Sequence, residues 1–268
     1  MSALPRQAGW ALITNDDGIG APGLRALATG AIAAGLDIVV AAPADDASGA
    51  GSSILAVRRD GVVPIERHEL DGLDGIPAYG VAANPAFIAF AGLTGWFDTA
   101  PSLVLSGINY GANLGESVLH SGTVGAALTA GRLGVRSLAV SLDCDHLPPG
   151  ATPRWDTAAG LVPMALEVLA GTAPGTVLNL NVPNLALGKL GEPRAATLAV
   201  KGRWQPEVNE VEGGLRVRGV RRPGRLEPGS DAALLSAGHP VLTPLASVDV
   251  DTRVHLADML AGITRRPA

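Results

Sequence analysis

Five runs of the chain are apolar at successive positions, not at every second one: 10–14 (WALIT), 36–43 (LDIVVAAP), 102–107 (SLVLSG), 137–142 (SLAVSL) and 176–183 (TVLNLNVP). A strand that must present apolar side chains to both sides is one whose two faces are both covered, the situation of a parallel sheet between layers of helices. The segments between these runs have helical length and composition: 20–35 (GAPGLRALATGAIAAG), 86–95, 124–134 and 157–171. Pro22 falls where a first helical turn accepts it, Gly35 where the helix stops, and Pro163 inside the last segment predicts a kink. Strands and helices in alternation predict an α/β fold.

The 268 residues are 47% hydrophobic and 17% charged, enough for one large domain with a sizeable core. Aromatic residues make up only 3%, so that core rests on Ala, Val and Leu. A net charge of -5 provides no general attraction to nucleic acid, and the single cysteine, Cys144, excludes an internal disulfide. No basic segment leads into a long apolar stretch and no run reaches membrane-spanning length, which predicts a soluble cytoplasmic protein with no membrane partner.

Composition changes after about residue 184. We therefore expect a catalytic core over 1–184 and an extension over 185–268 that carries a hairpin and returns to the core. Residues 209–225 (NEVEGGLRVRGVRRPGR) alternate in the manner of strands about Gly213 and Gly214. A two-residue loop would pair Val211 with Arg216 and mix apolar and charged residues on one face. A three-residue loop, Glu212 to Gly214, pairs Val211 with Leu215 and Glu210 with Arg216 and is the expected form. The five arginines between 216 and 225 are read as a solvated or subunit-facing surface with acids opposite.

Ligands of open α/β sheets collect at the carboxyl ends of the strands. Three unusual loops lie there: TNDDG after the first strand, PADDASGAGSS after the second and SGINYGANLGESVLHSGT after the third. Asp16 and Asp17 repel one another, so they need water, a turn or helix-capping role, or a cation. With Ser48 and Asn109 on neighbouring loops they make an all-oxygen donor set suited to Mg²⁺ or Mn²⁺. Gly107, Gly111 and Gly115, interleaved with Asn109 and Asn113, suit either a flexible turn or close approach to a ligand. Ser121, Gly122 and Thr123 open a helix, where the free N–H groups attract an anion such as phosphate, or where a hydroxyl simply caps the helix.

The segments ALITNDDGIGAPGLRAL, VVAAPADDASGAGSSI, SGINYGANLGESVLHSGTVGAAL and SDAALLSAGHPVLTPLASVD resemble, in this order, the SurE family of survival-protein nucleotidases. The resemblance implies a Rossmann-like domain with a C-terminal swapping extension, a homodimer or homotetramer, and a divalent-metal-dependent phosphomonoesterase acting on nucleoside monophosphates and sometimes short polyphosphate. It places Asp16, Asp17, Ser48 and Asn109 on the metal ligands and Asn113, Ser121, Gly122 and Thr123 around the phosphate. Asp16 or Asp17 would also serve as base or nucleophile, the two roles remaining open.

The departures from the family pattern lie close to these positions. Pro43-Ala44-Asp45 stands where Pro-Asp-Arg is usual, Gly51-Ser52-Ser53-Ile54-Leu55 where Gly-His-Ser-Ile-Thr is usual, and Ala83-Asn84-Pro85-Ala86-Phe87 where Gly-Thr-Pro-Ala-Asp is usual. Loss of an Arg and a His removes two groups able to bind phosphate or donate a proton. Two further readings follow: a phosphatase of a phosphorylated sugar or specialised metabolite on the same site, and a non-catalytic oligomeric binding protein. Of the remaining residues, His120 is expected to be a structural hydrogen-bond partner, Cys144-Asp145-His146 a solvated loop, and Trp155 and Trp204 partly buried aromatics.

Overall fold

The computed structural model describes residues 9–144, 147–148, 150–200, 204–221, 226–246 and 248. Its elements run in the order β1 (Ala11–Thr14), α1 (Pro22–Ala33), β2 (Ile38–Pro43), β3 (Ile65–His68), β4 (Ala78–Val81), α2 (Pro85–Ala91), β5 (Leu103–Tyr110), α3 (Gly122–Arg132), β6 (Arg136–Asp143), α4 (Trp155–Ala170) and β7 (Val177–Pro183). They continue with β8 (Arg194–Ala195), β9 (Trp204–Val211), β10 (Gly214–Arg221), α5 (Asp231–Ser236) and β11 (Val241–Leu245).

Nine strands form one sheet in the order β3-β4-β2-β1-β5-β6-β7-β11-β8. The central pairings are parallel, while β3 joins β4 and β11 joins β7 antiparallel. This is the α/β architecture expected of the apolar runs, and each of the five runs lies in a strand. Successive residues serve opposite layers: Ala11 and Ile13 of β1 enter the core beneath α1 and α4, while Leu12 packs with Ile88 of α2 and Ala126 of α3. All three are fully buried, which explains why the run has no polar alternation. Removing a side chain such as Leu105, also fully buried, should cost about 2–5 kcal/mol through lost transfer energy and the cavity left behind.

Helix ends follow the local chemistry. Pro22 occupies the first turn of α1, where its missing N–H is no loss, and Gly35 follows the last turn with φ +83. Pro163 lies inside α4. The segment 86–95 ends its α-helix at Ala91 and continues as a π-helical turn, Gly92–Trp96, in which Gly95 has φ +136.

The hairpin corrects the expected loop. Val211 stands opposite Gly214, Glu210 opposite Leu215 and Asn209 opposite Arg216, so the turn is the two-residue Glu212-Gly213. Gly213, at φ +81, takes the left-handed conformation that lets the chain reverse in two residues, and a third is not needed. The pairs Val211–Leu215 and Glu210–Arg216 therefore do not form. β9 and β10 pair only with each other among the described residues, away from the main sheet. No helix among the described residues is long and apolar enough to cross a membrane.

Candidate active site

The chain leaves β1 to build β2 and β4 on one side, then returns to lay β5 on the other. The sheet order thus reverses between β1 and β5, and a crevice opens at their carboxyl ends. Asp16 and Asp17 follow β1 into this crevice, Asn109 lies near the end of β5, and Ser48 sits on the loop after β2.

Short polar contacts tie these loops together. The Asp16 carbonyl accepts the Ala47 N–H at 2.8 Å, which brings the Asp46–Ser48 turn against the acid pair. Asp17 Oδ2 accepts the Tyr110 N–H at 3.2 Å, which fixes the end of β5 beside the same pair. The register of β5 against β6 shifts between Ser106 and Asn109, and such an irregularity re-aims the strand end. Asn109 Nδ2 donates to the Gly111 carbonyl at 2.9 Å, leaving Oδ1 as its donor atom for a cation.

The phosphate-loop candidates meet the acid pair through Asp16. Thr123 donates its hydroxyl to Asp16 Oδ1, and its backbone N–H also bonds this carboxylate. Gly122 is in van der Waals contact with the same side chain: a Cβ at 122 would stand 2.7 Å from Asp16 Cβ and 2.8 Å from Oδ2. Ser121 is the N-cap of α3, its Oγ accepting the Val124 N–H at 3.1 Å. The Asp16 carboxylate therefore lies at the positive end of α3, where the helix dipole favours an anion.

Asn113 is held elsewhere. Its N–H donates to Asn181 Oδ1 at 2.8 Å, its carbonyl accepts Asn179 Nδ2 and Asn181 Nδ2 at 2.9 and 3.0 Å, and its Nδ2 donates to Ser141 Oγ at 2.9 Å. Its amide thus anchors the glycine-rich loop to β6 and β7.

Burial raises the carboxyl pKa of Asp16, only partly offset by the bonds from Thr123. Burial likewise pushes Asp17 up to about 6, assisted by the charges of Asp16 and Asp46 and opposed by the Tyr110 N–H. Asp46 is held below the usual carboxylate range by hydrogen bonds from the Ser48 side chain and backbone, the latter at 2.7 Å. Asp46, next to Asp45 and two residues before Ser48, thus adds its charge to the loop that carries Ser48.

The donor chemistry fits a divalent cation. Two desolvated, mutually repelling carboxylates are stabilised by a positive charge between them, and a hydroxyl and an amide oxygen complete a hard, water-retaining set. Among the described residues no three His, Cys, Asp or Glu side chains gather as a metal group, so the oxygens of Ser48 and Asn109 would have to share the work.

The remaining candidates have structural settings. The His120 carbonyl accepts the Gly51 N–H at 3.2 Å and the residue closes the Gly115–Leu119 turn. Trp155 is partly buried against the core with its ring centroid 6.3 Å from that of Tyr110. Cys144 is buried at the end of β6, which corrects its expected placement in a solvated loop, while Asp145, His146 and the side chain of Trp204 lie outside the described residues.

The family model described as survival protein SurE matches residues 11–205. The chain belongs to the SurE family. A 5'-nucleotidase SurE of Solidesulfovibrio magneticus is 39% identical over 255 residues, covering 93% of this chain and 93% of the relative. One from Maridesulfovibrio salexigens is 36% identical, covering 87% and 91%. The crystal structure of a SurE protein from Aquifex aeolicus superposes with a TM-score of 0.75 at 27% identity, over 94% of this chain and 99% of that one. Membership accounts for the parallel sheet and for the loops gathered at its switch point.

Proposed function

We propose that this SurE-family chain is a metal-dependent phosphomonoesterase that hydrolyses nucleoside monophosphates. The observation that carries the reading is the contact of Asp16 with Gly122 and Thr123, which joins the acid pair to the N-terminus of α3. The 5'-nucleotidase names of its relatives support the same substrate class.

Asp16, Asp17, Ser48 and Asn109 would hold the cation, which when bound neutralises phosphoryl charge and activates water. Ser121, Gly122 and Thr123 present the helix N-terminus to the phosphate, whose charge that end of the dipole favours. Asn113 keeps the loop that carries Asn109 in register with β7, which holds the phosphate and cation positions together. Either aspartate of the pair can take the proton of the attacking water.

One observation favours a second reading of the substrate. Two of the three divergent segments touch: the Asn84 N–H donates to the Leu55 carbonyl at 2.9 Å, and beside them the Val57 N–H donates to the Ala82 carbonyl at 2.8 Å. Asp45, Ser52 and Leu55 are exposed: an acid where the family pattern has Arg, a hydroxyl where it has His and an apolar side chain where it has Thr. A monophosphate on a neutral organic group, such as a sugar or specialised metabolite, suits that surface better than polyphosphate.

Turnover of a panel of phosphomonoesters and polyphosphate in Mg²⁺ or Mn²⁺, with a chelator control, tests both readings. The expected result is chelator-sensitive release of phosphate from monophosphates with little from polyphosphate. Absence of turnover for the whole panel would remove the enzymatic reading and leave the binding protein. The hairpin is also proposed to pack between subunits of a dimer or tetramer, since among the described residues it has no third strand and it exposes Val208 and Leu215. Light scattering should then show a lower oligomeric state when residues 205–228 are deleted.

A further inference from the structure

Asp231 opens α5, far from the acid pair in sequence, and is fully buried. Its surroundings are apolar: Leu114, Ala196, Ala199, Ala232, Leu235 and Val241 form one cluster around it. A carboxylate in such a place must be satisfied by donors, and three backbone N–H groups supply them. Oδ2 accepts the Gly115 N–H at 2.8 Å; Oδ1 accepts the Ala199 N–H at 2.9 Å and the Ala232 N–H at 2.7 Å. The last bond is local to α5, but the first two reach 116 and 32 residues along the chain.

Each long-range partner begins a segment that matters. Gly115 starts the turn Gly115–Leu119, which passes through His120 directly to Ser121, Gly122 and Thr123. Ala199 lies just before the excursion that contains the β9–β10 hairpin, and Asp231 lies just after it. The approach is close: Gly115 has φ +52, and a Cβ there would stand 2.6 Å from the Ala199 carbonyl oxygen. The root of the hairpin and the start of the site loop are thus in contact and share one acceptor. Upstream of Gly115 the loop is fixed by the Asn181 amide at Asn113. Between Asn113 and the α3 cap, the Asp231 bond ties the loop to the C-terminal segment.

We propose that Asp231 is a positioning residue for residues 114–123: its carboxylate sets the start of the Gly115–Leu119 turn against the hairpin root, and so places the Ser121–Thr123 cradle relative to Asp16. The inference rests on the reading of this crevice as the phosphoryl site only for its kinetic consequences. The placement of the loop is measurable without turnover.

Asp231→Asn keeps the shape and one acceptor oxygen; the Ala199 and Ala232 N–H groups together hold that oxygen on their side, so the NH₂ group faces the Gly115 N–H, which loses its bond. Hydrogen exchange over 109–121 should accelerate by about tenfold while 11–43 is unchanged. Mn²⁺ binding followed by electron paramagnetic resonance should weaken by a comparable factor, and kcat/KM for AMP should fall by about tenfold, since small misplacements at a site are costly. Ser230→Ala is the control: it removes the bond from Ala233 N–H to Ser230 Oγ at 3.2 Å and loosens α5 without touching the loop. It should lower the melting temperature while leaving exchange over 109–121, Mn²⁺ affinity and kcat/KM within about twofold of the parent. If Asp231→Asn does not fold, Gly115→Ala strains the same seam from the loop side and should show the same pattern. Exchange over 109–121 unchanged in the folded variant, or Ser230→Ala reproducing its effects, would overturn the proposal. A parent protein that neither binds Mn²⁺ nor hydrolyses AMP would remove the functional reading, and the exchange comparison would still decide the role of Asp231.

Discussion

Two loops reach the acid pair, and they are built on opposite principles. The loop after β5 is tied from beneath and behind: Asn113 is buried and bonded to β6 and β7, and Gly115 is bonded to α5. The loop after β2 carries exposed side chains at Asp45, Asp46, Ser48 and Ser52 to Leu55, and is fixed chiefly through its backbone, by Ala47 to Asp16 and Gly51 to His120. Burial with satisfied polar groups gives a single geometry, whereas exposure leaves side-chain identity unconstrained by packing. On the proposed function, the first loop holds the reacting groups in register, and the second, Ser48 aside, discriminates among substrates.

The comparison breaks most visibly at the centre that both loops serve. Asp16→Asn or Asp17→Asn should reduce metal-dependent turnover by about a thousandfold or more, since one of two charges holding the cation is gone. The same change should leave the metal-free fold intact or slightly more stable, because repulsion is relieved. Parental rates in either variant with metal present would refute the assignment.

The buried loop should respond next. Asn181→Ala strips the acceptor from the Asn113 N–H, and a buried donor left unpaired costs about 1–3 kcal/mol, read as a lower denaturation midpoint. Substitutions on the exposed loop should change stability by no more than about 0.5 kcal/mol. A stability loss from Asp45→Arg equal to that from Asn181→Ala would erase the distinction. Asp45→Arg should instead raise kcat/KM for nucleoside monophosphates, by up to about tenfold, as one added charge-assisted contact is worth about 1.4 kcal/mol.

The remaining effect is that of pH on the metal-free protein. Asp17 has its pKa raised to about 6 from an unfolded value of 3.8, so between these values the folded state holds more proton than the unfolded one. Stability is then greatest at the acid end of this window and falls as pH rises through about 6. Asp17→Asn should flatten that part of the profile in urea titrations at several pH values, whereas Asp45→Asn should leave it as it was.

Much of the architecture was legible because burial on two faces writes itself into composition. The continuous apolar runs located the central strands, and the polar, glycine-rich stretches between them located the loops of the crevice. The edge strands left no such trace. β3 is four residues, IERH, with three of them exposed, and β8 is two residues, Arg194–Ala195, both exposed. Neither buries enough side chain to impose a pattern. The hairpin turn was misjudged because side-chain pairing was weighed above the conformational freedom of Gly213. In the site, residues in one loop were found together, but supports from distant elements were not: Asn179 and Asn181 look like interruptions of an apolar strand, and Asp231 looks like an ordinary first-turn acid.

The contact between Gly122 and Asp16 has a bearing on how this lineage could have diverged. With a would-be Cβ 2.7 Å from the aspartate, position 122 admits no side chain without moving the acid, so helix end and carboxylate have to be inherited as a unit. Ala44–Asp45 and Ser52–Leu55, by contrast, face solvent, where substitutions are cheap. The departures from the family pattern fall on that side of the crevice and its neighbour at Ala83–Phe87. Such a division of the crevice permits change along its exposed wall while the helix end and the acid stay as they are.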